Sequence, residues 1–193
     1  MKRLIPAAVL LLVLAGCAAD PLAEQYQNGT NQNYISGDGS LTVIAEADRG
    51  DAITFEGETD AGEPVSSADY AGEVLVINFW YAACPPCRLE APDLEAISKQ
   101  FDGEGASFLG VNVRDQAESA RNFADTWGIS YPSVIDANDG NMLYAFAGTV
   151  APNAVPTTLV IDKQGRVAAR FLGLISEPST LEAIITDTIA EAD

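Results

Sequence analysis

The sequence predicts one α/β domain, and three observations carry that expectation. Apolar, β-branched runs alternate with helix-like runs along most of the chain, the pattern of strands and helices layered on a shared core. The run Val74-Leu75-Val76-Ile77 is continuously apolar, as a central strand buried on both faces requires. About 150 residues follow the polar N-terminal stretch, enough for one domain with its own core.

Residues 1–16 read as a signal peptide. Met1-Lys2-Arg3 is a short basic segment and Leu4 to Leu14 an apolar core. That core is shorter than the roughly 20 residues a membrane-spanning helix needs, and it suits the apolar region of an export signal. Leu14-Ala15-Gly16-Cys17 follows, and small residues ending in a cysteine resemble a bacterial lipobox. In that pattern the chain is cut before the cysteine, which then receives lipid. Cys17 is therefore expected to be a lipid anchor that holds the protein to the cell membrane, facing the extracytoplasmic side. The alternative, an ordinary secretory signal with a chance cysteine, would leave an odd free thiol on an exported protein. Residues 17–40 are polar and rich in Gln, Asn and Gly, and read as a flexible tether spanning about 25 Å. The folded domain is then expected over residues 41–193.

Charge excludes some functions. The chain carries 10 basic and 28 acidic residues, for a net charge of −18. Removing residues 1–16 takes away Lys2 and Arg3 and no acid, which gives −20. Phosphate contacts need Lys and Arg, so a nucleic-acid partner is not expected. The acids are scattered, among them Asp48, Glu56, Glu95, Glu118 and Asp187, and read as a solvated acidic surface. A weaker reading is attraction of basic partners.

Ala52 to Glu58 reads as a strand, Asp60-Ala61-Gly62 as a turn, and Pro64-Val65-Ser66 as a short second strand. Val74 to Trp80 is the central strand. Cys84-Pro85-Pro86-Cys87 follows it and precedes a helix-like run to Phe101 with Leu94, Ile97 and Phe101 on one face. A helix N-terminus offers unpaired N–H groups and a positive dipole end, which favour a thiolate. C-x-x-C also occurs in zinc sites, but those need a second pair or histidines. The chain has no histidine and only one further cysteine, so no metal is expected. A purely structural disulfide across so short a loop would contribute little stability, because it removes little entropy from the unfolded chain.

Ser107 to Val113 reads as another buried strand. Glu118 to Trp127 reads as a helix with Ala120, Phe123, Ala124 and Trp127 inward, ended by Gly128. Tyr131 to Asp136 reads as a short strand and Met142 to Phe146 as a short helix or turn. Thr157 to Asp162 and Arg166 to Leu172 form a hairpin by length and turn chemistry. Ser179 to Ala190 reads as the last helix, with Ser176 or Ser179 as its cap. Val155-Pro156-Thr157 places a proline just ahead of an apolar strand. That suggests a fixed turn, since X-Pro bonds alone go cis cheaply; a proline at a strand edge fits the spacing equally.

The segment Asn78-Phe79-Trp80-Tyr81-Ala82-Ala83-Cys84-Pro85-Pro86-Cys87-Arg88-Leu89-Glu90-Ala91-Pro92 is similar to the active-site segment of TlpA/ResA-type thioredoxin-like proteins. Val155 to Asp162 resembles their cis-proline segment, and Ile129 to Asp136 resembles the stretch between the two. The resemblance covers roughly residues 50–190, with its motifs in order. It implies a thioredoxin-like fold: a central mixed sheet flanked by helices, with the TlpA/ResA-type insertion. It also implies thiol–disulfide exchange outside the cytoplasm.

Carried over residue by residue, Cys84 would be the attacking thiolate at the exposed helix end. Cys87 would be the more buried resolving thiol, and the two would form the disulfide Cys84–Cys87. Trp80, Pro85, Pro86, Val155 and Pro156 would bind the substrate, with the Val155 backbone pairing it in strand fashion. Glu90, three residues beyond Cys87, matches an acidic position of the family. It reads either as the proton carrier during resolution or as a solvated helix carboxylate. Three features depart from the pattern or modify it. Ala83 stands where relatives often carry Trp, Asn78 stands where thioredoxins proper carry a buried Asp, and Pro92 is expected to kink the active-site helix.

These readings give a membrane-tethered thiol–disulfide oxidoreductase that needs no diffusible cofactor. Its partners would be protein thiols and disulfides, with apocytochrome c first among them, and a membrane electron donor. Reduction is the expected direction, and disulfide donation shares the motif. Three rivals remain open. A peroxidase of the same fold would need a Thr and an Arg near its cysteine; Arg88 and Arg114 exist, but the adjacent C-x-x-C pair points elsewhere. The others are a copper-handling lipoprotein and a tethered module with a vestigial dithiol.

Overall fold

The computed structural model describes residues 40–150 and 154–191. The expected signal peptide, Cys17 and the tether up to residue 39 lie outside the described residues.

The fold is built on strand β4 (Val74–Trp80), every residue of which is buried. It pairs in parallel with β5 (Ala106–Asn112) and antiparallel with β7 (Thr157–Ile161). With β1 (Ser40–Val43), β6 (Ser133–Ile135) and β8 (Val167–Leu172) these form a six-stranded mixed sheet of order β1-β8-β7-β4-β5-β6. A two-stranded sheet, β2 (Glu56–Glu58) and β3 (Pro64–Ser66), stands apart. Among the described residues four α-helices accompany the sheets: α1 (Pro85–Phe101), α2 (Ala117–Trp127), α3 (Asn141–Ala145) and α4 (Pro178–Ile189). β6 and α3 occupy the stretch between α2 and β7.

The period-2 alternation of β4 explains the layers. Val74 and Val76 pack with Leu94, Ile97 and Phe101 of α1 and Leu181 and Ile185 of α4. Leu75, Ile77 and Phe79 point the other way, onto Phe55, Met142 and Phe146. Each such side chain, fully buried, contributes about 1.5–3 kcal/mol. A third cluster at the C-terminal end of β4 holds Trp80, Tyr81, Cys84, Cys87, Ala91, Phe123 and Val155. The Cys84/Cys87 pair therefore sits at the end of a strand buried along its whole length.

Five local expectations are corrected. The strand expected over 52–58 is confined to Glu56–Glu58. Ahead of it the chain is pinned elsewhere, Ile53 N–H donating to the Gly165 carbonyl and Phe55 entering the core. β1 starts at residue 40, which was assigned to the tether, and pairs with β8. Trp127 is 36 % exposed rather than inward, because Phe123 takes the place against Trp80, ring centroids 4.3 Å apart. α4 is capped by neither Ser176 nor Ser179: Glu177 precedes it without a side-chain cap, and Pro178 opens it with a preset φ. Glu95 is buried rather than solvated, held by Lys99 at 2.7 Å and by the Ser130 N–H at 2.8 Å. α1 runs unbroken through Pro92. Gly128 ends α2 in the left-handed region, φ 71°, as expected.

Candidate active site

β4 delivers the chain into the turn Tyr81-Ala82-Ala83, and α1 begins at Pro85. Two prolines suit a first helical turn, where their missing N–H groups have no intrahelical partner to lose. Cys84 is the residue that caps α1. Its Sγ accepts the Cys87 N–H at 3.2 Å, and it is bonded to Cys87 Sγ. When the bridge is reduced, that N–H and the helix dipole face the Cys84 sulfur, which lowers the energy of its thiolate.

The expected exposure of Cys84 is corrected. It is 0 % exposed and Cys87 2 %, so the two are equally buried in the disulfide form. The cause is the packing of Trp80, Tyr81 and Val155 in the same cluster. Three other residues expected to present a substrate surface also lie inward. Trp80 is buried with its Nε1 donating to Ser133 Oγ at 3.3 Å, and Pro86 and Pro156 are buried. Pro85 and Ala83 are exposed. Val155–Pro156 is a cis peptide bond, as the turn reading expected, and Val155 packs in the cluster that holds both cysteines. Among the described residues nothing hydrogen-bonds the Val155 N–H or carbonyl.

Glu90 is not a solvated helix carboxylate. It is 1 % exposed, one turn beyond Cys87. Asn78 Nδ2 donates to Glu90 Oε1 at 2.9 Å and the Ile175 N–H donates to Oε2 at 3.2 Å. Burial pushes the carboxyl up to about 8, and those two hydrogen bonds only partly oppose it. Asn78 also donates to Thr158 Oγ1 at 3.0 Å, across β4 and β7. A neutral amide on the strand thus steadies a titratable acid on the helix. Asn78 and Cys87 line one small internal gap with Trp80, Phe123 and Tyr131. Burial and the charges of Glu90 and Glu95 push the Tyr131 hydroxyl far up, so it stays protonated.

Sequence reading missed the residues that fix the turn before Cys84. Asp115 Oδ2 accepts the Ala82 N–H at 2.6 Å and Asn112 Nδ2 at 3.0 Å. Asn112, fully buried, accepts the Arg114 and Asp115 N–H groups through Oδ1 at 3.0 and 2.7 Å. On the other side Arg88 Nε donates to the Ala82 carbonyl at 2.7 Å. The Arg114 guanidinium lies 4.4 Å from the Tyr81 ring centroid. The available signal was position: Asn112-Val113-Arg114-Asp115 is a polar cluster at the carboxyl end of a buried strand, where α/β proteins place their sites. No group of metal-binding side chains occurs among the described residues.

A cysteine pair that opens a helix at the end of the central strand of a thioredoxin-like sheet defines a thiol–disulfide oxidoreductase. The chain belongs to the AhpC/TSA family, whose profile matches residues 49–170. A prokaryotic membrane lipoprotein lipid-attachment site matches residues 1–18. The chain is 32 % identical over 127 residues to the thiol-disulfide oxidoreductase ResA of Bacillus subtilis, covering 66 % of this chain and 68 % of that one. It is 29 % identical to the thiol:disulfide interchange protein HelX of Rhodobacter capsulatus, over 86 % of both chains. A secreted thiol-disulfide isomerase of Corynebacterium glutamicum has a similar structure, with TM-score 0.72 and 32 % identity, covering 81 % of this chain and 96 % of that one. No helix among the described residues is long and apolar enough to cross a membrane.

Proposed function

We propose that this protein is held by lipid on Cys17 at the extracytoplasmic face of the cell membrane. There it passes electrons from the Cys84/Cys87 dithiol to disulfides of partner proteins, oxidised apocytochrome c first among them. The observation that carries this reading is Cys84 Sγ at the head of α1, accepting the Cys87 N–H. That geometry favours a reactive thiolate at Cys84 over one at Cys87.

The Cys84 thiolate attacks one sulfur of the partner's disulfide, forms a mixed disulfide and releases the other sulfur as a thiolate. Cys87 gives up its proton and attacks Cys84 Sγ. The Cys84–Cys87 bond forms and the partner leaves with both sulfurs reduced. Two electrons have moved to the partner, and a membrane donor must return them. Glu90 in its ionised form accepts the Cys87 proton, its pKa of about 8 lying close to that of a thiol. The Val155 N–H and carbonyl, without a hydrogen-bond partner among the described residues, bind an extended partner segment, which must part the packing over Cys84 to reach the sulfur. Pro85, exposed beside Cys84, would touch that segment.

Trapping tests the order of events. The reduced Cys87→Ser protein, mixed with a disulfide-bonded apocytochrome peptide, should accumulate a mixed disulfide through Cys84. The Cys84→Ser protein should form none. Equal trapping through either cysteine would reverse the assigned roles or remove them.

A further inference from the structure

Charge around the dithiol runs against the charge of the molecule. The chain has a net charge of −18. Most of its described basic groups are engaged away from the site. Arg49 and Arg166 pair with Asp162, and Lys99 pairs with Glu95. Arg170 donates to the Thr149 carbonyl and Arg121 to that of Asp60. Arg88 and Arg114 are different. Both are exposed, both lie against the Tyr81-Ala82 segment that leads into Cys84, and neither has a carboxylate within ion-pair distance among the described residues. Arg88 uses Nε on the Ala82 carbonyl, which leaves its two terminal nitrogens facing outward from that bond. Arg114 spends its flat face on Tyr81 and keeps its N–H edge for other partners.

Glu90 and Glu95 of α1 are buried and bonded inward, Asp125 lies in the last turn of α2, and three further acids share these elements. Asp115 has Oδ2 turned to the Ala82 N–H and Asn112. Asp93 stands about 12 Å along α1 from its start, and Glu118 sits in the first turn of α2. The segment leading into Cys84 therefore carries two guanidiniums without an ion-pair partner among the described residues and one engaged carboxylate. Ala83, Pro85 and Leu89, the last 68 % exposed, add apolar surface to the same segment.

We infer that Arg88 and Arg114 make this segment an anion-selective docking surface, and that the partner carries carboxylates beside the disulfide it presents. The inference rests on the proposed exchange reaction and names its substrate class. Two fork-shaped donors beside the attacked bond recognise carboxylates in a way that lysines would not. Net charge alone predicts the opposite preference, since so acidic a molecule should draw cationic disulfides.

Three small disulfides of similar size separate these outcomes: dithiodiglycolate (anionic), bis(2-hydroxyethyl) disulfide (neutral) and cystamine (cationic). The reduced protein is mixed with each at about 0.15 M ionic strength, where a Debye length of about 8 Å leaves the segment's charges effective and screens distant ones. In each reaction Cys84 displaces one thiolate, Cys87 displaces the second, and the protein ends as the disulfide. Each rate is divided by that of dithiothreitol with the same disulfide, which removes intrinsic reactivity. The anionic disulfide should exceed the cationic one by about fivefold or more, the scale of one or two exposed ion pairs.

The Arg88→Gln/Arg114→Gln double variant should lose that preference, and Arg88→Lys/Arg114→Lys should retain part of it. Lys99→Gln, which removes one charge at the far end of α1, should leave it in place. A preference for cystamine, or a ratio that the double Gln variant does not move, overturns the inference while the exchange reaction stands. If the neutral disulfide fails to oxidise the protein, the exchange reaction itself falls, and the inference with it.

Discussion

Glu90 is the residue to which the proposed exchange assigns the proton transfer, and its environment sets how. The carboxyl is buried, receives hydrogen bonds from Asn78 and Ile175, and is pushed from 4.5 up to about 8. In the proposed exchange it takes up the thiol proton from Cys87, one turn away along α1. A raised pKa in the folded state means that the folded protein binds this proton more tightly than the unfolded chain. The stability it contributes is complete below about pH 4.5 and is lost as pH rises through about 8. Glu90→Gln should therefore abolish that part of the pH dependence, read as the wild-type minus variant difference in urea unfolding at a series of pH values. The same variant should slow resolution of the trapped mixed disulfide on the order of 10²-fold near pH 8. An unchanged resolution rate would make Glu90 a structural residue only.

The turn before Cys84 shows what sequence reading reached and what it missed among the elements. Strands β4, β5, β7 and β8 and helices α1, α2 and α4 were legible because their apolar residues recur at strand or helix period. β1 was not, since Leu41 and Val43 are exposed and give no buried face to read. The cysteine pair at the head of α1 and the proline ahead of β7 were legible from motif and resemblance. The burial of Cys84 was not, because it depends on Tyr81, Phe123 and Val155 converging from three separated segments. The Asn112–Asp115 brace was hidden for the same reason: it crosses from the end of β5 to the turn after β4. β5 also supports the site from below through Gly110. A Cβ there would fall 2.8 Å from Trp80 Nε1 and 2.2 Å from Ser133 Oγ. Ser133 can rotate away, but the indole is fixed between Gly110 and Phe123. Gly110→Ala should cost about 1–3 kcal/mol in urea unfolding and shift the tryptophan fluorescence. No loss of stability would mean that Trp80 is less tightly seated than the geometry indicates.

For the whole molecule, two ends of the fold titrate in opposite senses. Far from the dithiol, Arg49 Nη1 donates to Asp162 at 2.8 Å and its guanidinium grips Glu191 at 2.5 Å, joining an N-terminal loop to the residues just after α4. Asp162 is buried, which alone would raise its pKa, but the Arg166 N–H and the two arginines outweigh that and lower it below 3.8. Its stabilisation is present above pH 3.8 and is lost as pH falls further. Asp136 is raised by burial, in the same sense as Glu90. A net charge of −18 adds self-repulsion as the remaining acids ionise. Unfolding free energy should thus peak near pH 5 and decline toward pH 8, and a rise over that range would contradict the burial assigned to Glu90.

The central claim is that the Cys84/Cys87 pair works as a reductant outside the cytoplasm. Its reduction potential tests that claim most directly, measured by alkylation and mass spectrometry after equilibration in graded thiol buffers. A value of about −250 mV or lower is predicted, and a value near −120 mV, about that of a strong disulfide donor, would contradict it.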